Sequence, residues 1–187
     1  MQLTASIPKV LGGEPFIARI AEPDSKHYKN EVLLVRGAEP VSTNGFRCVL
    51  RIGKPRPNEI PIPPVLEYLR PGDIVRVNPR AGEVRVLYRR NSPHNTLFFT
   101  ERCNSRCLMC SQPPREIEDG YLGEEILEAI PLMARDTSAL CITGGEPTLL
   151  GKKLIDVISK FVYLTGDMLA RWGNHIPAIT ADVDKLS

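Results

Sequence analysis

Short apolar runs, broken by glycine and proline, mark the first half of the chain. PFIARI, EVLLVRG, FRCVLRIG and DIVRVNPRAGEVRVLYRR are rich in β-branched and aliphatic residues and show little helical spacing. In the last run Val84, Val86 and Tyr88 recur at every second position after a turn, which predicts a hairpin. KPRPNEIPIPP, residues 54–64, carries too many prolines for a central strand and is predicted to be an extended loop. We therefore expect a small antiparallel sheet or partial barrel over about residues 10 to 90.

The second half, from about residue 92, alternates strand-like and helix-like segments. Apolar runs at 96–100 and 138–143 predict two strands, and GEEILEAIPLMARD predicts a helix that Pro131 bends or shortens. A second helix begins at about Lys152, and we expect it to bury Leu154, Ile155, Ile158, Phe161 and Val162. This order implies parallel strands joined by a crossover. The chain is thus predicted to be α/β, with a β-rich domain over 1–91, a second domain over 92–164 and a tail of weak pattern over 165–187.

Basic side chains are concentrated on the predicted hairpin, at Arg76, Arg80, Arg85, Arg89 and Arg90. They could form a binding patch or the solvated face of a half-buried hairpin. Over the 187 residues, 24 Lys and Arg nearly balance 22 Asp and Glu, which argues against a nucleic-acid or membrane partner selected by bulk charge. We favour the solvated face.

Three of the five cysteines lie within TERCNSRCLMCSQPP, in the loop after the first strand of the second half. Cys103, Cys107 and Cys110 have the spacing C-x3-C-x2-C. Structural zinc normally takes four protein ligands, but only the Cys107–Cys110 half resembles a zinc knuckle, and His94 is the remaining candidate for a fourth ligand. A [4Fe–4S] cluster usually takes four cysteines, so three would leave one iron open to a ligand from outside the protein.

The cysteine count also bears on the compartment. An odd number of cysteines, clustered rather than spread in pairs, fits a reduced cytoplasmic protein with a metal site better than a disulfide framework. We recognise neither a secretory leader nor a run of about 18 apolar residues that would span a membrane. The other two cysteines, Cys48 and Cys141, are expected in the core.

A second motif, Gly144-Gly145-Glu146-Pro147, ends the second predicted strand. If the two strands are parallel neighbours, this motif and the cysteine loop lie side by side at one edge of the sheet, about 5 Å apart. Two glycines would let a ligand approach the backbone, and Glu146 would offer a carboxylate to a cationic amine. Taken alone, the motif is better explained as a tight turn with an exposed glutamate; next to the cysteine loop, it is interpreted as part of a site.

CNSRCLMC followed by ITGGEPTLL resembles the radical S-adenosylmethionine (radical SAM) superfamily over about residues 95–162. TERCNSRCLMCSQPP is also similar to the maturases of His-Xaa-Ser repeat peptide systems, which carry a β-rich segment ahead of the radical SAM domain. The resemblance implies a partial barrel of six βα units, of which residues 92–164 would supply the first two.

The resemblance also implies roles for individual residues. Cys103, Cys107 and Cys110 would hold three irons of a [4Fe–4S] cluster, and S-adenosylmethionine would chelate the fourth. Its methionyl amine would be received by Gly144, Gly145 and Glu146, with Pro147 fixing the turn. Met109 would pack against the adenine, where the family more often has an aromatic residue. The implied reaction is reductive cleavage of S-adenosylmethionine followed by hydrogen abstraction from a substrate, here a peptide in a maturation system, with flavodoxin or ferredoxin as electron donor.

Six βα units of about 30 residues each do not fit between Thr96 and Ser187. FVYLTGDMLARWGNHIPAITADVDKLS shows no third strand, and Trp172 and His175 within it are interpreted as incidental. We therefore expect a truncated barrel that assembles poorly and does not turn over S-adenosylmethionine alone. The alternative hypothesis is a non-catalytic metal-binding or interaction module, or an inactive remnant, in which the cysteine loop holds a structural metal.

Overall fold

The computed structural model describes residues 4–9, 13–21, 30–37, 45–105, 107–108, 110, 114–137 and 139–165. Within them the chain is of mixed α/β class, with two sheets and two α-helices. Seven strands form one curled sheet in the spatial order β1-β7-β6-β2-β3-β4-β5. Their bounds are β1 (Thr4–Ser6), β2 (Phe16–Ala21), β3 (Glu31–Arg36), β4 (Val49–Ile52), β5 (Glu59–Ile62), β6 (Ile74–Asn78) and β7 (Glu83–Tyr88).

The large sheet is half antiparallel and half parallel. The predicted hairpin of β6 and β7 is confirmed, and β1–β7 and β2–β6 are also antiparallel. The expectation of an antiparallel sheet is wrong for β2–β3, β3–β4 and β4–β5, which are parallel. Five of the six residues of β2 and four of the six residues of β3 are buried, and such runs of buried residues are typical of parallel strands covered on both faces.

The proline-rich segment contains a strand, so the prediction of a loop there is wrong. β5 pairs with β4 and places Pro61 opposite Arg51. β5 is the edge strand of the sheet, so its outer side has no neighbouring strand to bond. Proline, which lacks an N–H, is tolerated at such an edge. The buried Arg51 side chain pairs with the Glu59 carboxylate and donates to the Gly37 carbonyl at 2.6 Å, which ties this edge to β4.

The second half has the predicted order of strand, helix, strand and helix. β8 (Asn95–Phe98) and β9 (Leu140–Thr143) form a parallel two-stranded sheet with Phe98 opposite Thr143. Between them α1 (Tyr121–Ala129) ends in a 3₁₀ turn over Ile130–Leu132, where Pro131 stops the α-helix as predicted. After β9 and a 3₁₀ turn over Pro147–Leu150, α2 covers Lys152–Thr165.

The buried face of α2 differs from the predicted one. Val157 and Phe161 are buried, whereas Ile155 and Ile158 are each 39% exposed. A spacing of four residues keeps Val157 and Phe161 on one side of the helix, and Ile155 and Ile158 lie away from that stripe. The prediction of burial is therefore wrong for Ile155 and Ile158.

The arginine-bearing face of the hairpin is covered by α1. Arg76 and Arg85 are directly opposite each other on β6 and β7, and both pair with the Glu125 carboxylate of α1. The interpretation as a solvated face is therefore wrong for these two arginines. Arg80 stays mostly exposed and pairs with Glu14 at 2.6 Å.

The two halves share a hydrophobic core. One buried cluster is formed mainly by the large sheet, including Leu50 and Val75, and also contains Leu66 and Leu69 from the segment after β5. A second cluster joins residues of the large sheet to β8, α1 and α2; its buried members are Ile17, Ile74, Tyr88, Leu97, Phe99, Ile126, Ala129, Ile130, Met133, Val157 and Phe161. The predicted domain boundary at residue 91 lies between the last strand of the large sheet and the first strand of the small one. The side chains of the second cluster come from both sides of this boundary.

Residues 166–187 lie outside the described residues, and with them the predicted tail, Trp172 and His175. Met109 is likewise outside them. In the part of the chain that the structure describes, neither helix is long and apolar enough to cross a membrane.

Candidate functional site

Backbone hydrogen bonds join the two sequence motifs at one edge of the small sheet. Because β8 and β9 are parallel neighbours, the loop that follows β8 and the turn that follows β9 emerge at the same edge. The Gly145 N–H donates to the Thr100 carbonyl at 2.7 Å, and the Glu146 N–H donates to the Arg102 carbonyl at 2.8 Å. The Gly-Gly-Glu-Pro turn is therefore bonded directly to the first residues of the cysteine loop.

The two glycines are explained by this close approach of the cysteine loop. Gly144 has a φ of +145°, and a Cβ there would overlap the Thr100 carbonyl and lie 2.9 Å from its nitrogen. A Cβ on Gly145 would overlap the Arg102 carbonyl and lie 3.0 Å from the Cys103 Cβ. Side chains at either position would push the two motifs apart, so the glycines have a packing role independent of any ligand.

Glu146 is held as an anion beside this junction. Its Oε1 accepts the Thr148 N–H at 3.1 Å and the Thr148 hydroxyl at 2.6 Å, so the residue caps the 3₁₀ turn that Pro147 begins. These hydrogen bonds hold the pKa of the Glu146 carboxyl below its ordinary value, because they favour the charged form. Glu146 is partly exposed, and it directly follows Gly145, where an added Cβ would lie 3.0 Å from the Cys103 Cβ.

The three clustered cysteines are placed differently. Cys103 is partly buried at the root of the loop, whereas Cys107 and Cys110 are exposed. The Cys110 N–H donates to the Cys107 carbonyl at 3.0 Å, which makes one turn between these two cysteines. Among the residues that the structure describes, no three Cys, His, Asp or Glu side chains converge as a metal-binding group.

His94 does not complete the set of metal ligands. It is exposed and precedes β8, while the cysteine loop follows β8, so the two lie at opposite ends of the strand. With about 3.3 Å per residue, Thr100 at the root of the loop is roughly 20 Å from His94 along the strand direction. His94 is therefore too far from the root of the loop to bind one metal ion together with these thiols.

A [4Fe–4S] cluster fits this donor set in chemistry. The cluster takes thiolate ligands, and the loop offers three thiols on one short segment with an anionic carboxylate near its root. The described positions do not gather the thiols around one point. Binding a cluster would therefore require the loop beyond Cys103 to close around it, while the junction with Gly145 and Glu146 is already made.

The remaining cysteines have opposite surroundings. Cys48 packs against the first hydrophobic cluster, and burial raises the pKa of its thiol to about 12. Cys141 is exposed on β9, so the expectation of a core position is wrong for this residue. Every second residue of a strand faces the same side, and that side of β9 is uncovered at Cys141 among the described residues.

Two residues at the site were not singled out from the sequence. Thr100 ends the approach to the cysteine loop, and Asp119 ends the loop just before α1; both are buried. The Asp119 carboxylate accepts the Thr100 hydroxyl at 3.0 Å and the Glu101 N–H at 2.5 Å. Asp119 lies one residue before Gly120, the N-cap of α1. An aspartate so close to a helix start is expected to cap the helix, so its sequence position does not point to the loop.

Comparisons of the chain with protein-family models, with curated proteins and with solved structures found no match. Support for a function therefore comes from the residues and their geometry.

Proposed function

We propose that this chain is a radical SAM enzyme, or the N-terminal part of one, with a [4Fe–4S] cluster held by Cys103, Cys107 and Cys110. The observation that carries the proposal is the pair of backbone hydrogen bonds from Gly145 and Glu146 to the root of the cysteine loop. A ligand that must contact both a cysteine-bound cluster and a carboxylate needs these two motifs side by side. The described junction supplies that arrangement.

In this proposal the protein binds and orients S-adenosylmethionine. Glu146, kept anionic by Thr148, would receive the cationic methionyl amine together with backbone groups of Gly144 and Gly145. Pro147 would fix the turn, and Met109 would contact the adenine. When bound, the cluster supplies the electron for reductive cleavage of S-adenosylmethionine, after which a hydrogen atom is abstracted from the substrate.

The proposed function also implies a fold, a partial barrel of βα units. β8, α1, β9 and α2 would be the first two βα units of a partial barrel, and the large sheet would be the β-rich domain that precedes it. A peptide of a maturation system as substrate, and flavodoxin or ferredoxin as electron donor, are proposed on the resemblance of the cysteine loop alone.

The test is anaerobic reconstitution with iron and sulfide, followed by electron paramagnetic resonance of the reduced protein with and without S-adenosylmethionine. We expect a [4Fe–4S] signal that shifts when S-adenosylmethionine is added. Cys107→Ala should abolish the cluster. Cys141→Ala is the matched control, because this cysteine is also exposed but lies on β9, and it should leave the signal unchanged.

Two other results would speak against the proposal. A cluster whose signal ignores S-adenosylmethionine would remove the enzymatic function and leave an iron–sulfur protein. Tightly held zinc in place of iron and sulfide would favour the alternative of a non-catalytic metal-binding module.

A further inference from the structure

A buried carboxylate closes the root of the cysteine loop. Asp119 is 1% exposed, and both of its oxygens lie 3.0 Å from the Thr100 hydroxyl. One of the two oxygens also accepts the Glu101 N–H at 2.5 Å. Within the described residues no Lys or Arg side chain is paired with it. A buried polar group is costly unless its hydrogen bonds are made. These hydrogen bonds join Asp119, at one end of the cysteine loop, to Thr100 and Glu101 at the other end.

Thr100 extends this contact to the other motif. Its hydroxyl donates its one proton to Asp119 and accepts the Arg102 N–H at 3.0 Å. Its carbonyl accepts the Gly145 N–H at 2.7 Å. A chain of hydrogen bonds therefore runs from Asp119 through Thr100 to Gly145, and it links the two ends of the cysteine loop to the Gly-Gly-Glu-Pro turn.

A second contact closes the loop farther out. The Arg115 N–H donates to the Glu101 carbonyl at 3.3 Å, and the two side chains form an ion pair at 2.8 Å. This pair is largely exposed on the Arg115 side and contributes little in water. The buried Asp119 contacts are therefore the main closure of the loop at its root.

We propose that Asp119 is a positioning residue for the metal site: it fixes the root of the cysteine loop, through Thr100, against the turn that carries Glu146. The proposal rests on the proposed function, since the site that Asp119 positions is the cluster and S-adenosylmethionine site. The thiols of Cys107 and Cys110 would close around the cluster from a root that is already in place. The relation between Cys103 and Glu146 would then not depend on that closure.

The first experiment needs no metal. Hydrogen exchange of the Gly145 and Glu146 amides is measured in Thr100→Val, which removes the hydroxyl at nearly constant shape, and in Thr100→Ser, which keeps it. We expect exchange about tenfold faster in Thr100→Val and in Asp119→Asn, with Thr100→Ser close to the unchanged protein. Amides of β6 and β7 report whether the fold is intact, and Glu118→Gln is the matched control for Asp119→Asn, because Glu118 is exposed. Equal exchange in Thr100→Val and Thr100→Ser would overturn the proposal.

The second experiment uses the reconstituted protein. We expect Thr100→Val to bind iron and sulfide but to need about tenfold more S-adenosylmethionine for the same change in the electron paramagnetic resonance signal. A merely structural role would lower the amount of cluster without changing this dependence on S-adenosylmethionine. If the unchanged protein takes up no cluster, the proposed function fails, while the exchange data still decide whether Asp119 fixes the turn.

Discussion

The two sheets of this protein differ in how completely they are covered. Strands β2 and β3 of the large sheet are buried along most of their length. None of the four residues of β9 in the small sheet is buried, and α2 beside it leaves Ile155 and Ile158 partly exposed. Both motifs of the candidate site lie on the less covered sheet. The large sheet supplies the packed scaffold, and the site is built where fewer apolar contacts hold the backbone.

The two regions are nevertheless joined, by apolar packing and by charge. The second hydrophobic cluster crosses from Ile17 and Tyr88 of the large sheet to α1 and α2. The Tyr88 hydroxyl lies 2.8 Å from the Thr137 hydroxyl, a buried polar contact beyond α1. Through these contacts the large sheet positions α1, and α1 follows directly on Asp119 at the root of the cysteine loop.

The largest expected effect comes from truncating the core of the large sheet. Leu50→Ala should lower the free energy of unfolding by about 2–5 kcal/mol, because Leu50 is fully buried and the cavity it leaves cannot be filled by water. Ile155→Ala on α2 should lower it by less than about 1 kcal/mol, since that side chain is already 39% exposed. Urea unfolding followed by circular dichroism measures both. Similar losses in the two variants would mean that the contrast in coverage is not a contrast in stability.

Sequence patterns predicted the individual strands and helices better than they predicted which strands pair and in which direction. Alternation and turn residues were sufficient for the β6–β7 hairpin, and helical spacing with Pro131 was sufficient for α1 and its end. Strand direction in the large sheet depends on connections whose course no periodicity encodes, so the parallel pairs were missed. The proline content led to the prediction of a loop where β5 lies, although an edge strand tolerates a residue without an N–H.

The same limit applies to the site. The cysteine spacing and the Gly-Gly-Glu-Pro motif are local, and parallel strands bring them to one edge as predicted. Asp119 acts across the loop on Thr100, which is 19 residues away, and no spacing rule connects the two. The covering of Arg76 by α1 is likewise a tertiary contact that composition cannot show.

The charge contact between the two regions gives the next prediction. Glu125→Gln should lower the free energy of unfolding by about 2–3 kcal/mol, because Arg76 and Arg85 face each other on adjacent strands and both lose this carboxylate. Arg76 keeps a weaker contact with the partly exposed Glu83 at 3.5 Å. Glu124→Gln is the control: its pair with Lys153 at 2.7 Å is largely exposed and should contribute less than about 1 kcal/mol. Thermal unfolding at low and high salt compares them. A Glu125→Gln loss no greater than that of Glu124→Gln would contradict the role of this contact.

A smaller effect is expected at the junction of the two motifs. Gly145→Ala should cost about 1–3 kcal/mol, because its Cβ would overlap the Arg102 carbonyl. Gly151→Ala is the comparison: no atom lies within 4 Å of the added Cβ, but the φ of +49° and ψ of −122° are rarely adopted by other residues, so backbone strain of about 1–3 kcal/mol is expected. Differential scanning calorimetry gives both values. Only Gly145→Ala should also speed hydrogen exchange at Glu146, whose N–H donates to the Arg102 carbonyl that the Cβ displaces.

Chemical labelling of the two cysteines outside the loop compares the large and small sheets without any substitution. At pH 8 iodoacetamide should modify Cys141 in the folded protein and leave Cys48 unmodified, because the Cys141 thiol is exposed and burial keeps the Cys48 thiol protonated. Peptide mapping by mass spectrometry after quenching measures each site. Equal labelling of the two would show that the large sheet opens as readily as β9.

The raised pKa of Cys48 also predicts how stability depends on pH. An unfolded thiol ionises at about 9, whereas the folded one does so at about 12, so between these values the unfolded state has lost a proton that the folded state keeps. The contribution of this thiol is therefore complete below pH 9 and falls by at most about 1.4 kcal/mol per pH unit above it. Cys48→Ala should lose that part of the decline, and Cys141→Ala should retain it, when urea unfolding is compared at pH 8 and 10. Parallel declines in the two variants would place Cys48 in contact with water, and the first hydrophobic cluster would then be less closed than its packing indicates.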